Sequence, residues 1–319
     1  MTRRFTAITQ RVYVVIILMM VSTMLYSQSD PALTQYMYNN FFYNPGAAGS
    51  ADEICLNATA RQQWFGLDGA PQTTIFSANA PFNIFGINSG GGLNIYNETI
   101  GFHNDLGFHG SYAYRMSIGD GSLGIGVSGG IINRAFDANW YTPEGLDDGS
   151  GNLPTNESAI TFDMAFGVFY RAENFYMGVS STHLLENNID YKTAANDIDY
   201  HKRQFHLTSG YNLQLANPLF EVRPSFFIQS DLAVTQFTLN TSLVYNKRLL
   251  GGVSYRNGDA ISALIGFEMR NGVRISYSYD IGINALQQYN DGTHEFSVGY
   301  CFKIETERAP KKYKSIRYL

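Results

Sequence analysis

The histidines are the residues of this chain that could best support acid–base catalysis or metal binding. None of them belongs to an HExxH motif, and no Cys/His spacing of a zinc site occurs. No serine–histidine pairing can be read from their spacing, and the glycine-rich stretches lack the Lys-Ser/Thr of a phosphate-binding loop. We therefore expect no catalytic site, no cofactor and no metal. The six histidines are His103, His109, His183, His201, His206 and His294.

The composition describes a chain that can bury a core yet carries little charge. Of its 319 residues, 14% are aromatic and only 15% are charged, against about 25% charged in a typical soluble domain. Such a chain is not disordered. Its 22 Lys+Arg against 27 Asp+Glu exclude a strongly basic nucleic-acid binder, so no nucleic-acid partner is expected. Beyond the N-terminus, no apolar run approaches the roughly 20 residues of a membrane-spanning helix.

Residues 1–27 have the pattern of a secretory signal peptide. Arg3, Arg4 and Arg11 precede the apolar stretch 12–21, and small residues lead to a cleavage site after Ser27. The alternative is a membrane anchor, but the apolar stretch is short for one. We expect the mature chain to lie beyond the inner membrane, in an oxidising compartment.

Beyond residue 50, apolar and polar residues alternate with a period of two. Val273, Ile275 and Tyr277, for example, alternate with Arg274 and Ser276. Strict alternation predicts β-strands. The polar face carries Asp, Glu, Arg, Ser and Gly, so we expect it to be wet rather than packed. About fourteen strands are predicted, at residues 53–64, 72–81, 87–97, 103–118, 122–134, 158–171, 174–183, 203–214, 219–230, 236–246, 249–256, 260–270, 272–281 and 293–304.

The lengths of the connections distinguish between two all-β folds. Connections after even-numbered predicted strands are short, whereas those after odd-numbered strands include long loops at 135–157, 184–202 and 282–292. Short turns at the periplasmic rim and long loops outside are typical of an outer-membrane barrel, and a soluble β-sandwich has no reason to show this asymmetry. We predict an all-β, transmembrane antiparallel β-barrel over residues 51–304, in the bacterial outer membrane and in contact with its lipid.

The two cysteines fall near the ends of the predicted barrel. Cys55 lies near the start of the first strand and Cys301 near the end of the last, and these strands are neighbours in a closed barrel. Both cysteines fall on the polar, inward-facing phase at the periplasmic rim. We predict a disulfide that locks the seam. The alternative is two unpaired residues, if the barrel shear leaves their Cα atoms more than about 7 Å apart.

Short motifs recur in order along the mature chain. They begin with Asp-Pro at 30–31, Thr-Gln-Tyr at 34–36 and Asn-Pro-x-x-Ala-Gly at 44–49, followed by Arg-Gln-Gln-Trp at 61–64 and Gly-Ala-Pro at 69–71. Shorter motifs lie at 223–225, 252–256, 277–280 and 294–295. Together they resemble the PorP/SprF family of Bacteroidetes outer-membrane proteins. Gly46 is a departure, because the family has alanine there more often.

The resemblance implies a role in the type IX secretion system and, in some members, in gliding motility. Members help to export or surface-anchor secreted cargo proteins, large adhesins among them, or serve the secretion machine together with its periplasmic components. A barrel of about fourteen strands is too narrow for a folded adhesin, so we expect an accessory that binds such protein partners. Two alternatives stay open: a small-solute or hydrophobic-compound channel of the fatty-acid-transporter type, and an outer-membrane enzyme.

The segments outside the predicted strands supply the candidate partner contacts. Residues 28–50, rich in Asn, Tyr and Phe, are either a lumenal plug or a periplasmic contact, and the basic tail 305–319 is either a periplasmic docking segment or a solvated end. Residues 61–64 close the first predicted strand at the outer rim, and residues 68–71 form the first outer loop. The alternative to a partner contact in this region is an interfacial Trp and a Gly-Pro turn. The alternative for Asn44-Pro45 is a simple turn into the barrel. The candidate contact residues are Asn44, Pro45, Arg61, Gln63, Trp64, Asp68 and Pro71.

Overall fold

The structure is a computed structural model that describes residues 30–136, 157–186, 188–189 and 199–303. The predicted signal peptide at 1–27, the basic tail at 305–319 and most of the two longest predicted loops lie outside the described residues.

Fourteen of the strands in the described part of the chain build a barrel. The predicted segments 103–118 and 249–256 coincide with two of them, and the other bounds differ by no more than three residues. The strands are β1 (Ile54–Gln62), β2 (Gln72–Ile84), β3 (Ile87–Ile100), β4 (His103–Ile118), β5 (Gly121–Phe136), β6 (Glu157–Arg171), β7 (Phe175–Thr182), β8 (Asn188–Ile189), β9 (Asp199–Tyr200), β10 (Gln204–Tyr211), β11 (Leu213–Gln214), β12 (Phe220–Ser230), β13 (Thr235–Tyr245), β14 (Leu249–Arg256), β15 (Ala260–Glu268), β16 (Val273–Gly282) and β17 (Thr293–Phe302).

The barrel closes because its first and last strands pair. β1 and β17 are antiparallel over nine residue pairs, from Ile54 opposite Phe302 to Gln62 opposite His294. The other barrel strands pair with their neighbours in the chain, and β10 joins β7 to β12. The short strands β8 and β9 pair with each other, and β11 lies beside the start of β12. The prediction of a closed antiparallel barrel of fourteen strands is therefore confirmed.

The outer surface of the barrel is apolar and its inner surface is polar. Outward-facing Phe162 and Ile265 are 70% and 63% exposed, whereas inward-facing Glu295 and Ser297 are 0% exposed. An apolar outer band is what a barrel in lipid requires. The expectation that the polar face is wet is wrong at these positions, because residues 30–50 lie inside the barrel and cover it. We call residues 30–50 the lumenal segment.

The lumenal segment is compact and made of short turns. It contains a 3₁₀ turn at Tyr36–Tyr38, one turn of α-helix at Asn40–Tyr43 and a second 3₁₀ turn at Pro45–Ala47. In the last of these, the side chain of Asn44 accepts a hydrogen bond from the Gly46 N–H, and Pro45 takes the first helical position, where its missing N–H costs nothing. No helix in the described ranges is long and apolar enough to cross a membrane.

Apolar side chains of the lumenal segment form a small core with the barrel wall. Leu33, Tyr36 and Tyr43 are buried, and they pack in one cluster that also contains wall residues. Tyr36 stacks on Phe227 with ring centroids 5.2 Å apart. The wall residues of this cluster are Ile75, Tyr96, Ile132 and Phe227. The segment therefore has the apolar burial that a docked element needs, inside a barrel whose inner face is otherwise polar.

Candidate functional site: the occupied lumen

An arginine–carboxylate network holds the start of the lumenal segment. Arg61 of β1 lies 3.0 Å from Asp280 and 2.9 Å from Glu295, on the neighbouring β16 and β17. Arg256 of β14 reaches both Asp280, at 3.4 Å, and Asp259, at 2.9 Å. These side chains come from strand ends that the alternation turns inward, at the outer rim of the barrel. We call this network the arginine anchor.

Thr34 and Gln35 dock into the arginine anchor through their backbone and side chains. The Glu295 carboxylate accepts the Thr34 N–H at 2.9 Å and the Gln35 N–H at 2.8 Å. The Thr34 hydroxyl donates to Asp280 at 2.8 Å and accepts from Arg256 at 2.9 Å. Hydrogen bonds in which one partner is charged are the strong ones, so this contact fixes both the position and the direction of the segment.

A second network, made of histidines and aspartates, holds residue 30 on the opposite wall. His183, the residue after β7, lies 2.8 Å from Asp30 through Nε2 and 3.1 Å from Asp163 of β6 through Nδ1. His109 of β4 lies 3.0 Å from the same Asp163. Since both ring nitrogens of His183 lie close to carboxylates, this geometry favours the protonated imidazolium. We call this network the histidine anchor.

The charges of the histidine anchor stabilise one another although they are buried. Burial disfavours the charged form of Asp30, but the attraction to His183 outweighs it and the pKa of Asp30 lies below its usual range. Burial likewise opposes the charge of His183, but the neighbouring Asp30 and Asp163 raise the pKa of His183 to about 10. The pair is therefore charged at neutral pH. Other groups that face Asp30 are Thr182, His206 and Gln229.

A third contact involves backbone rather than charge. The turn at Asn44, Pro45 and Gly46 lies directly against glycines of β5 and β6, and the Asn44 side chain donates to the Val168 and Val179 carbonyls of β6 and β7. A Cβ atom on Gly126 would lie 2.4 Å from the Gly46 nitrogen. The glycines that allow this approach are Gly124, Gly126 and Gly167. Glycine in a strand thus marks a close backbone approach here.

One part of this glycine region fits a catalytic sequence pattern, but it lies in the wrong structural context. Gly126-Val127-Ser128-Gly129-Gly130 fits Gly-x-Ser-x-Gly, which marks a nucleophile when the serine lies on a sharp turn between a strand and a helix. Here the five residues lie inside β5, and the Ser128 hydroxyl donates to the Gly110 carbonyl. The pattern therefore carries no nucleophile elbow.

The barrel seam contains a disulfide. Cys55 and Cys301 are directly opposite partners in the β1–β17 register, their Cα atoms are 4.2 Å apart, and their sulfurs are bonded. Both residues lie at the rim with the short turns, which is the periplasmic rim. The shear of the barrel thus leaves the two residues well within bonding range.

These features agree with the comparison with known families. A profile described as "Type IX secretion system membrane protein PorP/SprF" matches residues 25–300. The chain belongs to the PorP/SprF family. It is therefore an integral outer-membrane component of the type IX secretion system. No curated protein sequence matches the chain at a significant level.

Solved outer-membrane proteins are similar to the chain at low sequence identity. The Acinetobacter baumannii outer-membrane protein Omp33 is 9% identical, over 79% of this chain and 99% of that one, with a TM-score of 0.44. The Pseudomonas putida toluene transporter TodX is 10% identical, over 79% of this chain and 89% of that one, with a TM-score of 0.43. These likenesses concern the barrel fold alone.

The residues predicted as partner contacts of this PorP/SprF chain separate into two groups. Arg61, Gln63, Asn44 and Pro45 are buried inside the barrel, where they contact the chain itself. The other three lie in the first outer loop, where Asp68 is exposed and Trp64 and Pro71 are half-buried. The second group lies in an outer loop, on the side of the membrane where an extracellular partner would meet the barrel. For both groups, the role as partner contacts stays a prediction.

Sequence reasoning missed most of the two anchors. Asp30, His183, Arg256, Asp280 and Glu295 are separated by long stretches of chain and meet only in the closed barrel. A signal was present, because single charged residues stand on the inward phase of strands that otherwise carry serine and glycine there. Opposite charges on the inward phase of β1, β14, β16 and β17 could have indicated an internal network.

Below the lumenal segment, the barrel opens to the periplasm through a cavity of about 470 Å³. We call it the periplasmic vestibule. Its lining includes Tyr38, Arg171, Arg223, Asn240, Glu268 and Arg274. The Arg274 guanidinium lies 3.6 Å from the centre of the Tyr38 ring, a cation–π contact between the wall and the lumenal segment. The lumenal segment therefore leaves a cavity beside it that faces the periplasm.

Proposed function

We propose that this PorP/SprF protein is an accessory of the type IX secretion system that binds protein partners. In this role it assists the export or surface anchoring of specific secreted proteins such as adhesins. The observation that carries the proposal is the occupied lumen: the lumenal segment is fastened to opposite walls by the arginine anchor and the histidine anchor. A barrel filled in this way offers surfaces to partners rather than a path for a polypeptide.

The strength of the two anchors supports a permanent filling. Breaking a buried ion pair by removing one partner costs about 3–5 kcal/mol, because the remaining charge stays buried and uncompensated. Withdrawal of the lumenal segment would break the Thr34 and Gln35 contacts with Glu295 as well as the Asp30 contact with His183. It would also expose the apolar cluster around Tyr36 and Tyr43.

The two ends of the barrel offer different partner surfaces. At the outer end, the first loop exposes Phe65, Leu67 and Asp68, which suits a contact with an exported or surface-anchored protein. At the periplasmic end, the vestibule is accessible to components of the secretion machine. A protein that touches partners on both sides of the membrane fits an accessory of an export machine.

A pull-down from native outer membranes tests the proposal. The tagged protein is solubilised in mild detergent and the co-purifying proteins are identified by mass spectrometry, with an untagged strain as the control. We expect a large secreted protein, periplasmic components of the machine, or both. A barrel that purifies alone and conducts ions in a planar bilayer would contradict the proposal and favour the channel.

A further inference from the structure

We propose that the periplasmic vestibule is a binding site for an acidic, extended polypeptide segment of a periplasmic partner. This inference rests on the proposed function, because it names the surface and the chemistry by which one such partner is recognised. The vestibule has the size of a ligand site, since pockets that bind small ligands and peptide side chains measure about 300–1,000 Å³ and this cavity measures about 470 Å³.

The charged residues of the vestibule favour an anionic occupant. Three arginines, Arg171, Arg223 and Arg274, line it against two glutamates, Glu53 and Glu268. Arg223 is paired with Glu268 and with the adjacent Glu221, so Arg171 and Arg274 supply the positive charge that no described carboxylate pairs. Arg171 is exposed at the end of β6, where its guanidinium can meet a carboxylate from solution. Arginine presents several N–H donors in a planar fork that matches a carboxylate, so it is the cation best suited to such recognition.

Two of the three arginines are held in place by the protein. Arg223 is 2.7 Å from Glu221 and 3.4 Å from Glu268. Arg274 stacks on Tyr38 and donates to Asn57 at 3.3 Å. A site whose charged groups are already ordered loses less side-chain entropy on binding, which distinguishes the vestibule from a surface with mobile lysines.

Polar groups without partners point to a ligand with its own hydrogen bonds. Asn240 Nδ2 and Ser77 Oγ are buried atoms of the vestibule lining, and neither has a hydrogen-bond partner within the ranges that the structure describes. The two side chains are 3% and 4% exposed. Buried polar groups are normally paired. The backbone of an extended peptide, with regularly spaced N–H and C=O groups, supplies suitable partners.

The sequence after Lys303 is also basic, with five basic residues against two acidic ones. An anionic probe can bind these residues as well, so their removal is a necessary control for binding in the vestibule.

A labelled decaglutamate peptide is a direct probe of this site. Fluorescence anisotropy is measured on the full-length protein in detergent, with a glycine–serine decapeptide as the control probe. We expect binding of decaglutamate that weakens strongly when salt rises to about 0.5 M, because salt screens exposed charges. Equal binding of both peptides, or binding that salt leaves unchanged, would overturn the proposal.

Charge-neutralising variants locate the binding. The double variant Arg171→Gln/Arg223→Gln should bind decaglutamate about 5- to 10-fold more weakly, as expected for the loss of two partly exposed ion pairs. The matched control Arg203→Gln removes a partly exposed arginine at the outer rim, paired with Glu186 at 3.4 Å, and should bind like the wild type. A truncation after residue 304 should keep most of the affinity. If only this truncation abolishes binding, the vestibule is not the site.

The native pull-down with the same variants separates this inference from the proposed function. If the wild type recovers periplasmic proteins and the Arg171→Gln/Arg223→Gln variant loses them, both stand. If the variant recovers the same proteins as the wild type, the vestibule is not the docking site, although the proposed function survives. If the wild type recovers no partner, the proposed function fails even where decaglutamate binds.

Discussion

The arginine anchor and the histidine anchor hold the same lumenal segment with different cations. In the arginine anchor, the guanidinium groups of Arg61 and Arg256 face Asp280 and Glu295. These residues lie on the wall formed by β1 and β14 to β17. In the histidine anchor, the cation that meets Asp30 is an imidazolium, His183, on the opposite wall. Both are buried at the outer half of the barrel. Only one of them depends on a group that can lose its proton in ordinary buffers.

The difference shows that buried ion pairs in one barrel can provide both a pH-independent and a pH-dependent attachment. An arginine stays charged at any pH at which the protein exists, so the arginine anchor fixes the segment under all conditions. A histidine keeps its charge here only because two carboxylates surround it. The histidine anchor therefore holds residue 30 only while His183 is protonated. We expect the two anchors to respond differently to substitution and to pH.

The largest expected effect is that of removing Arg61. The variant Arg61→Ala leaves the Glu295 carboxylate buried without the guanidinium that lies 2.9 Å away, so we expect a loss of about 3–5 kcal/mol in the free energy of unfolding. Urea unfolding in detergent micelles, followed by far-UV circular dichroism, measures it. Arg203→Ala, which breaks an exposed pair with Glu186, is the control and should cost at most about 1 kcal/mol. Equal losses in the two variants would mean that the buried arginine anchor contributes no more to the free energy of unfolding than an exposed ion pair does.

How much of the fold and of the candidate site could be predicted from the sequence depends on how far apart in the chain the interacting residues are. Alternation and loop lengths predict the fourteen strands, because both are local properties of the chain. The pairing of Cys55 with Cys301 was also predictable, since closing the barrel makes the first and last strands neighbours. The contents of the lumen were not predictable. Alternation says that Arg61 and Glu295 point inward, but whether water or residues 30–50 meet them depends on the three-dimensional barrel.

The disulfide covalently links two strands of the wall that carries the arginine anchor, because it joins β1 to β17. Replacing both cysteines, Cys55→Ser/Cys301→Ser, removes a covalent link between residues 246 apart in the chain. We expect a loss of about 2–4 kcal/mol, measured by urea unfolding with and without reductant. Reductant should destabilise the wild type and leave the double variant unchanged. Two free thiols in the unreduced wild-type protein, found by mass spectrometry, would contradict the bond itself.

Removing the charge of Asp30 tests the histidine anchor alone. Asp30→Asn keeps the shape of the side chain but leaves His183 with one carboxylate instead of two. We expect a loss of about 1.5–3 kcal/mol, the value of a hydrogen bond to a charged group. Asp68→Asn, at an exposed carboxylate of the first outer loop, is the control and should unfold like the wild type. If Asp30→Asn also leaves stability unchanged, the arginine anchor alone holds the segment.

The contact between the turn at Gly46 and the glycines of β5 and β6 holds the lumenal segment without any charge. It can therefore be compared with the two charged anchors. Gly126→Ala places a Cβ atom 2.4 Å from the Gly46 nitrogen, so we expect an overpacking cost of about 1–3 kcal/mol and more frequent openings in planar-bilayer recordings. Gly129→Ala in the same strand is the matched control, since a Cβ there meets no heavy atom within 4 Å. Similar recordings for the two variants would show that the turn at Gly46 can move aside at no cost.

The smallest expected effect, a dependence of stability on pH, comes from the histidine anchor only. The folded protein raises the pKa of His183 to about 10, above the ordinary value near 6.5. The stabilisation is therefore fully present below about pH 6.5 and is lost progressively as the pH rises towards 10. The pKa of Asp30 is lowered, so its contribution is lost instead as the pH falls below about 4. We expect the wild type to lose on the order of 1 kcal/mol between pH 6 and pH 8. The variant His183→Gln should lose much less over the same range, whereas Arg61→Ala should keep the slope of the wild type because its histidine anchor is intact. If Arg61→Ala flattens the slope as well, the two anchors are coupled through the lumenal segment and act as one.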